Sequence, residues 1–314
     1  MWLKIPCIKQ QYSRLNSIAL ALMLSIFSVL AQAGQNQDVD RALFWSIHKD
    51  GKAAGYLLGT IHSEDPRVLE FSEDFLLKLK SNTVFAMEMV PDLPTLARLT
   101  DYMRYPPDKT LESVIGSERF KALESALSGY KVPTEFLNRM KPWAAMMTLS
   151  TPPPETGFFM DLSLSLRASG SGLKVIGLET LEQQLSFLEE MPMTMQLDLL
   201  DQAIAEFDEV DETHDQMVNT YLQNSLVELQ EITEEQLKAV GDEAGDYFMA
   251  SGIHARNRRM AASLLPQLEH NTVFVAVGAL HLPGEEGLLS LLRRQGFELK
   301  PLDMPFTVPN GQGV

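Results

Sequence analysis

The stretch Asn271–Leu289, NTVFVAVGALHLPGEEGLL, decides the fold. Thr272–Val277 reads as a buried strand, rich in β-branched and aromatic residues. The run breaks at Gly278, and His281 stands just beyond its end. A second segment, Gly55–His62, GYLLGTIH, has the same layout. There a strand runs into Gly59 and presents His62. Both fit the pattern strand–Gly-x-x-His. An imidazole at the carboxyl end of a buried strand suits a metal or acid–base site, because open α/β sheets bind ligands in the crevice at that end. One such motif carries no information; two, each closing an apolar run, are a signal. Gly59 and Gly278 are expected to let the chain turn sharply before each histidine.

Working outward, Arg41–Ile47 reads as an opening strand, and Asp50-Gly51 as the hairpin turn that returns it to Tyr56–Ile61. Thr83–Met89 is an apolar run with one carboxylate, Glu88, near its end. Leu173–Leu178 is another short strand, closed by Gly177-Leu178-Glu179. Phe297–Leu302 is the last. Helical spacing marks Phe71–Leu79, Asp161–Ser169, Leu181–Leu188, Asp246–Leu268 and Gly287–Arg294. Pro94–Leu149 is helical with breaks at Pro106-Pro107 and Pro133, and Thr151-Pro152-Pro153-Pro154 is a rigid turn. Short strands separated by helices predict an α/β fold: a sheet core with a helical cap or insertion formed by the helix-rich middle. The two histidine strands lie at opposite ends of the sequence, so residues 34–314 are expected to form a single domain.

Residues 1–33 are set apart as a signal peptide. Lys4, Lys9 and Arg14 make a basic start, Ile18–Leu30 is apolar, and Ala31-Gln32-Ala33 has the small-x-small pattern of a cleavage site. An apolar run of about a dozen residues is short for a bilayer, which asks for roughly 20. The expected product is a periplasmic or secreted protein cut near Ala33, with no membrane span afterwards. Cys7, the one cysteine, lies in that segment, so the remainder has neither a disulfide nor a thiolate. Removing the three basic residues takes 26 to 23 against 42 acidic ones, a net charge of −19. Such a surface repels nucleic acid, which is excluded as a partner. The acids crowd between Asp198 and Asp246, where apolar residues recur at helical spacing; a solvated face of packed helices explains them better than a binding surface.

His62, Glu88, Glu179 and His281 each sit at the carboxyl end of an apolar strand, where a parallel sheet would converge them on one edge. Two imidazoles and two carboxylates suit a divalent transition metal, and if three bind it the remaining carboxylate could be a general base. Each also has a plainer reading. A histidine after a strand is often a turn residue, Glu88 could be a salt-bridged acid, and Glu179 could cap the helix that follows it. Arg256 and Asn257 lie on the helix before the last core strand; an arginine there could hold a carboxylate or stabilise an oxyanion. Arg258 and Arg259 read as surface residues, His48, His214, His254 and His270 as surface or structural ones, and Trp143 as core. Neither H-E-x-x-H nor G-x-S-x-G occurs, which argues against a zincin helix and a serine hydrolase.

The pattern resembles the TraB/GumN family, to which the Tiki metalloproteases also belong. The residues that carry the resemblance are Tyr56–His62, Glu88, Lys141-Pro142-Trp143, Gly177-Leu178-Glu179 with Gln183-Gln184, Arg256-Asn257, and Val277–Gly284. It implies an erythromycin-esterase-like or ChaN-like α/β fold and a metal-dependent hydrolase site. His62, Glu88, Glu179 and His281 would be ligands, with Glu88, Arg256 and Asn257 in catalytic roles. The ion implied is manganese or cobalt, with zinc next. The favoured expectation is an exported metal-dependent hydrolase that cleaves a peptide or another small extracytoplasmic substrate. The alternative is a non-catalytic periplasmic binding protein for a peptide or polysaccharide.

Overall fold

Strands β1 (Phe44–Lys49), β2 (Lys52–Thr60), β3 (Val84–Met87), β4 (Lys174–Gly177), β5 (Val273–Gly278) and β6 (Glu298–Leu302) build one sheet in the computed structural model, in the order β4-β3-β5-β2-β1-β6. The structure describes residues 42–130 and 132–306, all within the compact unit Asp40–Val314. The expected signal peptide and the tail from Val308 lie outside them.

The sheet is mixed, and its mixture follows from the connections. Asp50 (φ 51°) and Gly51 (φ 74°) are both left-handed, as a two-residue hairpin turn requires, so β1 and β2 are antiparallel. The other connections to the centre run through helices, so β4, β3, β5 and β2 lie mutually parallel. The β2–β5 register pairs Gly55 with Val273 and Thr60 with Gly278. At Gly55 (φ 144°) a Cβ would stand 1.9 Å from the Val273 carbonyl oxygen, so only glycine lets the two strands meet in this register.

Strand β5 is central, and Val273, Phe274, Val275, Ala276 and Val277 have no exposed surface. That double-sided burial is why the segment is apolar without alternation. Burying one large apolar side chain contributes about 1.5–3 kcal/mol. Phe274 packs against Phe44, Phe75 and Phe85, edge-on to Phe75 at 5.5 Å. Helices from Glu73–Lys80, Met160–Gly170, Ala255–His270 and Leu288–Arg294 contribute Phe75, Leu164, Leu264 and Leu288 to the same core.

The helix-rich middle has a core of its own. Leu111, Leu123, Trp143, Ala144, Leu149, Leu188 and Leu200 pack together there. Trp143 is core as expected, and its ring N–H donates to Glu189 at 2.8 Å. The acidic segment Asp198–Asp246 is helical, with Leu200, Val218, Tyr221 and Leu229 turned inward. Among the described residues no helix is long and apolar enough to cross a membrane.

The boundaries shift where sequence periodicity carries no information. Arg41 lies outside the described residues; the opening strand begins at Phe44, after Ala42 and Leu43, and pairing with β2 and β6 extends it past Ile47 to Lys49. The helix read as Asp246–Leu268 begins at Asp242 and contains a π-helical turn, Phe248–His254, before Ala255–His270. Gly252 sits in that turn against the Phe187 ring, where a Cβ would come within 3.2 Å. A π turn fits extra residues into a helix, so it sets the rotation at which Arg256 and Asn257 emerge.

Candidate functional site at the carboxyl edge of the sheet

Four parallel strands end side by side, and each delivers one predicted residue: His62 after β2, Glu88 after β3, Glu179 after β4 and His281 after β5. The pairing of β3 with β4 continues past the strands, with Leu178 N–H donating to Met87 C=O and Glu179 N–H to Glu88 C=O, both at 2.8 Å. The two carboxylates therefore leave adjacent backbones.

Between them lies Arg256. Its Nε donates to Glu179 Oε2 at 2.8 Å, and its Nη2 to Glu88 Oε2 at 2.6 Å. Glu179 has no exposed side-chain surface, and its other oxygen accepts from Arg259 at 3.2 Å. Arg259, expected at the surface, thus shares a buried carboxylate. Both Glu179 oxygens are taken by arginines, which makes it the anchor of Arg256 and leaves it no open lone pair aimed at a ligand. Nor does Glu179 cap the next helix: Thr180 does, in a capping box with Gln183.

Glu88 is better placed for chemistry. Burial pushes its carboxyl up, but the charges of His281 and Arg256 and the Gly278 amide hold it below the usual carboxylate range. The Gly278 N–H donates to Oε1 at 2.8 Å, and the Gln184 amide donates to Oε2 at 3.2 Å. The Gln184 carbonyl oxygen is buried beside it and accepts no hydrogen bond. Gly278 has φ −50° and Gly59 is not in the left-handed region either, so neither turn depends on glycine's left-handed freedom. What Gly278 provides is room: a Cβ there would sit 3.2 Å from Glu88 Oε1.

His281 is buried, with its Nδ1 2.6 Å from Asn257 Oδ1. The Asn257 amide nitrogen is committed to the Glu286 carbonyl at 2.9 Å, so its oxygen is the atom facing the ring. His281 Nδ1–H is then the donor, and the neutral ring carries its lone pair on Nε2. That atom lies 3.6 Å from Glu88 Oε1. Burial lowers the His281 pKa from 6.5 to about 4, with Glu88 opposing and Arg256 assisting. At neutral pH, therefore, the charge that keeps Glu88 ionised is that of Arg256, and an imidazole lone pair faces a carboxylate oxygen with no proton of their own between them.

This pair bears on the metal that the sequence implies. Two atoms bound at about 2.0–2.1 Å to one tetrahedral ion lie about 3.3–3.4 Å apart. The His281–Glu88 separation of 3.6 Å is close to that span, and Asn257 fixes the ring as an outer-shell partner of a ligand would. Glu179 does not fit such a role here. Among the described residues no three His, Cys, Asp or Glu side chains are grouped tightly enough to hold an ion. His62 stands apart from the network: its exposed ring stacks on Phe159 at 3.9 Å, with Nδ1 4.0 Å from Asp161 Oδ2. Asp161 was not legible as a site residue, since an acid in the first turn of a helix is ordinary.

The His281 pKa has a consequence for stability. Above pH about 6.5 neither folded nor unfolded chain is protonated there, and its contribution is complete. As pH falls from 6.5 toward 4, the unfolded chain takes up a proton that the folded chain refuses, and stability drops by about 3 kcal/mol. His281→Gln should remove that part of the slope, read by urea denaturation between pH 7.5 and 4.5. An unchanged slope would show that the ring titrates freely in the folded state.

The chain is 22% identical over 312 residues to metalloprotease TIKI1 of Danio rerio, a match covering 82% of this chain and 63% of that relative. It thus spans less than two thirds of the relative's length. No solved structure matches it. The model of the TraB/PrgY/gumN family matches residues 43–301, from the first strand into the last and across every residue of the network, and the chain belongs to that family.

Proposed function

We propose that this chain is a hydrolase of peptide bonds that works at the carboxyl edge of the sheet, with Glu88 and His281 at its centre. The observation that carries the reading is the neutral His281 Nε2 facing the ionised Glu88 Oε1 at 3.6 Å. A divalent ion, manganese or cobalt first and zinc next, would be held by these two atoms, with His62 at the neighbouring strand end outside that pair. When bound it supplies Lewis acidity that polarises a scissile carbonyl. The rest falls to the chain. Arg256 keeps Glu88 ionised, so the site presents a carboxylate that either holds the ion or, in its place, accepts the proton of an attacking water. Asn257 holds His281 in one tautomer. The relative's name supports peptides as the substrate class. Export to the periplasm or beyond belongs to the same reading and rests on Lys4, Lys9, Arg14 and Ala31-Gln32-Ala33.

The test is a peptide-library cleavage screen of the purified chain with manganese, cobalt and zinc, beside His281→Ala. Cleavage by the parent chain and none by the variant is expected. Cleavage by neither, with peptide still bound, would favour the non-catalytic binding protein.

A further inference from the structure

We infer that Asp161 is the positioning residue of His62, holding it as the Nδ1–H tautomer with Nε2 directed to reaction. The inference rests on His62 being a working residue of the proposed site. His62 is a surface residue, with 64% of its side chain exposed, and such a ring would ordinarily sample several rotamers. Here it is held from one short segment. Phe159 lies parallel to it, 15° between planes. Asp161, two residues on, places Oδ2 4.0 Å from Nδ1. The carboxylate is itself fixed, because its Oδ1 accepts from the Thr60 hydroxyl at 2.7 Å.

That segment is fastened to the end of β2 at several points. Met160 N–H donates to Ser63 C=O at 3.1 Å. The buried Tyr221 hydroxyl donates to Gly59 C=O at 2.7 Å and lies 3.6 Å from the Met160 sulfur. Glu64 accepts from the Thr156 amide and hydroxyl and from the Gly157 amide. Phe159 and Asp161 are therefore set against His62 before any ligand arrives.

The electrostatics then choose the tautomer. A lone pair on Nδ1 would face the carboxylate lone pairs, whereas an Nδ1–H points its positive end at them. At 4.0 Å the contact is longer than a hydrogen bond, and polar contacts at such sites tighten when the site is filled. The arrangement repeats that of His281, whose Nδ1 is covered by Asn257 Oδ1. Both Gly-x-x-His rings thus turn Nδ1 toward a side-chain oxygen, hydrogen-bonded at His281 and 4.0 Å away at His62, and leave Nε2 for chemistry. Groups that orient a histidine in this way typically govern about 10–100-fold in metal affinity or activity.

The experiment is a ¹⁵N NMR measurement of the ring nitrogens in the full chain without added metal or substrate, His62 being assigned with His62→Gln. The parent chain should show His62 mainly as Nδ1–H. Asp161→Ala should make that form the minority, while the His281 signals stay put; Asp161→Asn, which can turn its oxygen to the ring as Asn257 does at His281, should restore part of it. Any peptidase activity should fall about 10–100-fold in Asp161→Ala. A parent chain already in the Nε2–H form, or a tautomer unchanged in Asp161→Ala, would overturn the inference. A chain without peptidase activity would count against the proposed function alone, because the tautomer is read without turnover.

Discussion

Arg256→Met is expected to destabilise the protein by about 3–5 kcal/mol, the cost of leaving buried carboxylates without their cation. Arg256 is 8% exposed and donates to both Glu88 and Glu179, which are 19% and 0% exposed. Arg259 remains at Glu179, but it is 36% exposed and reaches only the other oxygen. Glu88 would keep the Gly278 and Gln184 donors without a charge to oppose burial, so its carboxyl should tend to protonate. Arg258→Met is the comparison: its ion pair with Glu286 is exposed, and such pairs contribute about 0–1 kcal/mol. Urea denaturation of the two variants decides it. Equal, small losses would mean that Arg256 is not the cation holding the site together.

Glu88→Gln is expected to lower peptide hydrolysis by about 10²–10⁴-fold, the range for losing a positioned general base. Glutamine keeps the size of the side chain and can still accept from Gly278. It removes the negative charge at Oε1 and the capacity to take a proton. Arg256 retains Glu179, so the fold should survive the change. Activity assays beside a denaturation curve separate the two effects. A folded Glu88→Gln variant with parental turnover would remove Glu88 from the chemistry.

The strand framework was readable because double-sided burial demands unbroken apolar runs, and because glycine followed by a polar residue marks where such a run leaves the core. His62, Glu88, Glu179 and His281 stood out for that reason. What those four residues do was less legible. Glu179 and Arg259 are joined across 80 positions, and the basic cluster Arg256, Arg258, Arg259 offers no pattern that tells the two members bound to a buried carboxylate from the one paired at the surface. The π turn at Phe248–His254, which sets their rotation, leaves no mark in apolar periodicity. Asp161 meets Thr60 over 101 positions, and in sequence it is only an acid at a helix start.

Calorimetric titration of manganese, cobalt and zinc into the purified chain and into His281→Ala tests the central claim most directly. The account predicts that the parent chain binds one ion, and that His281→Ala binds it at least about tenfold more weakly. Identical binding curves for the two proteins, or no binding of any of the three ions by the parent chain, would contradict it.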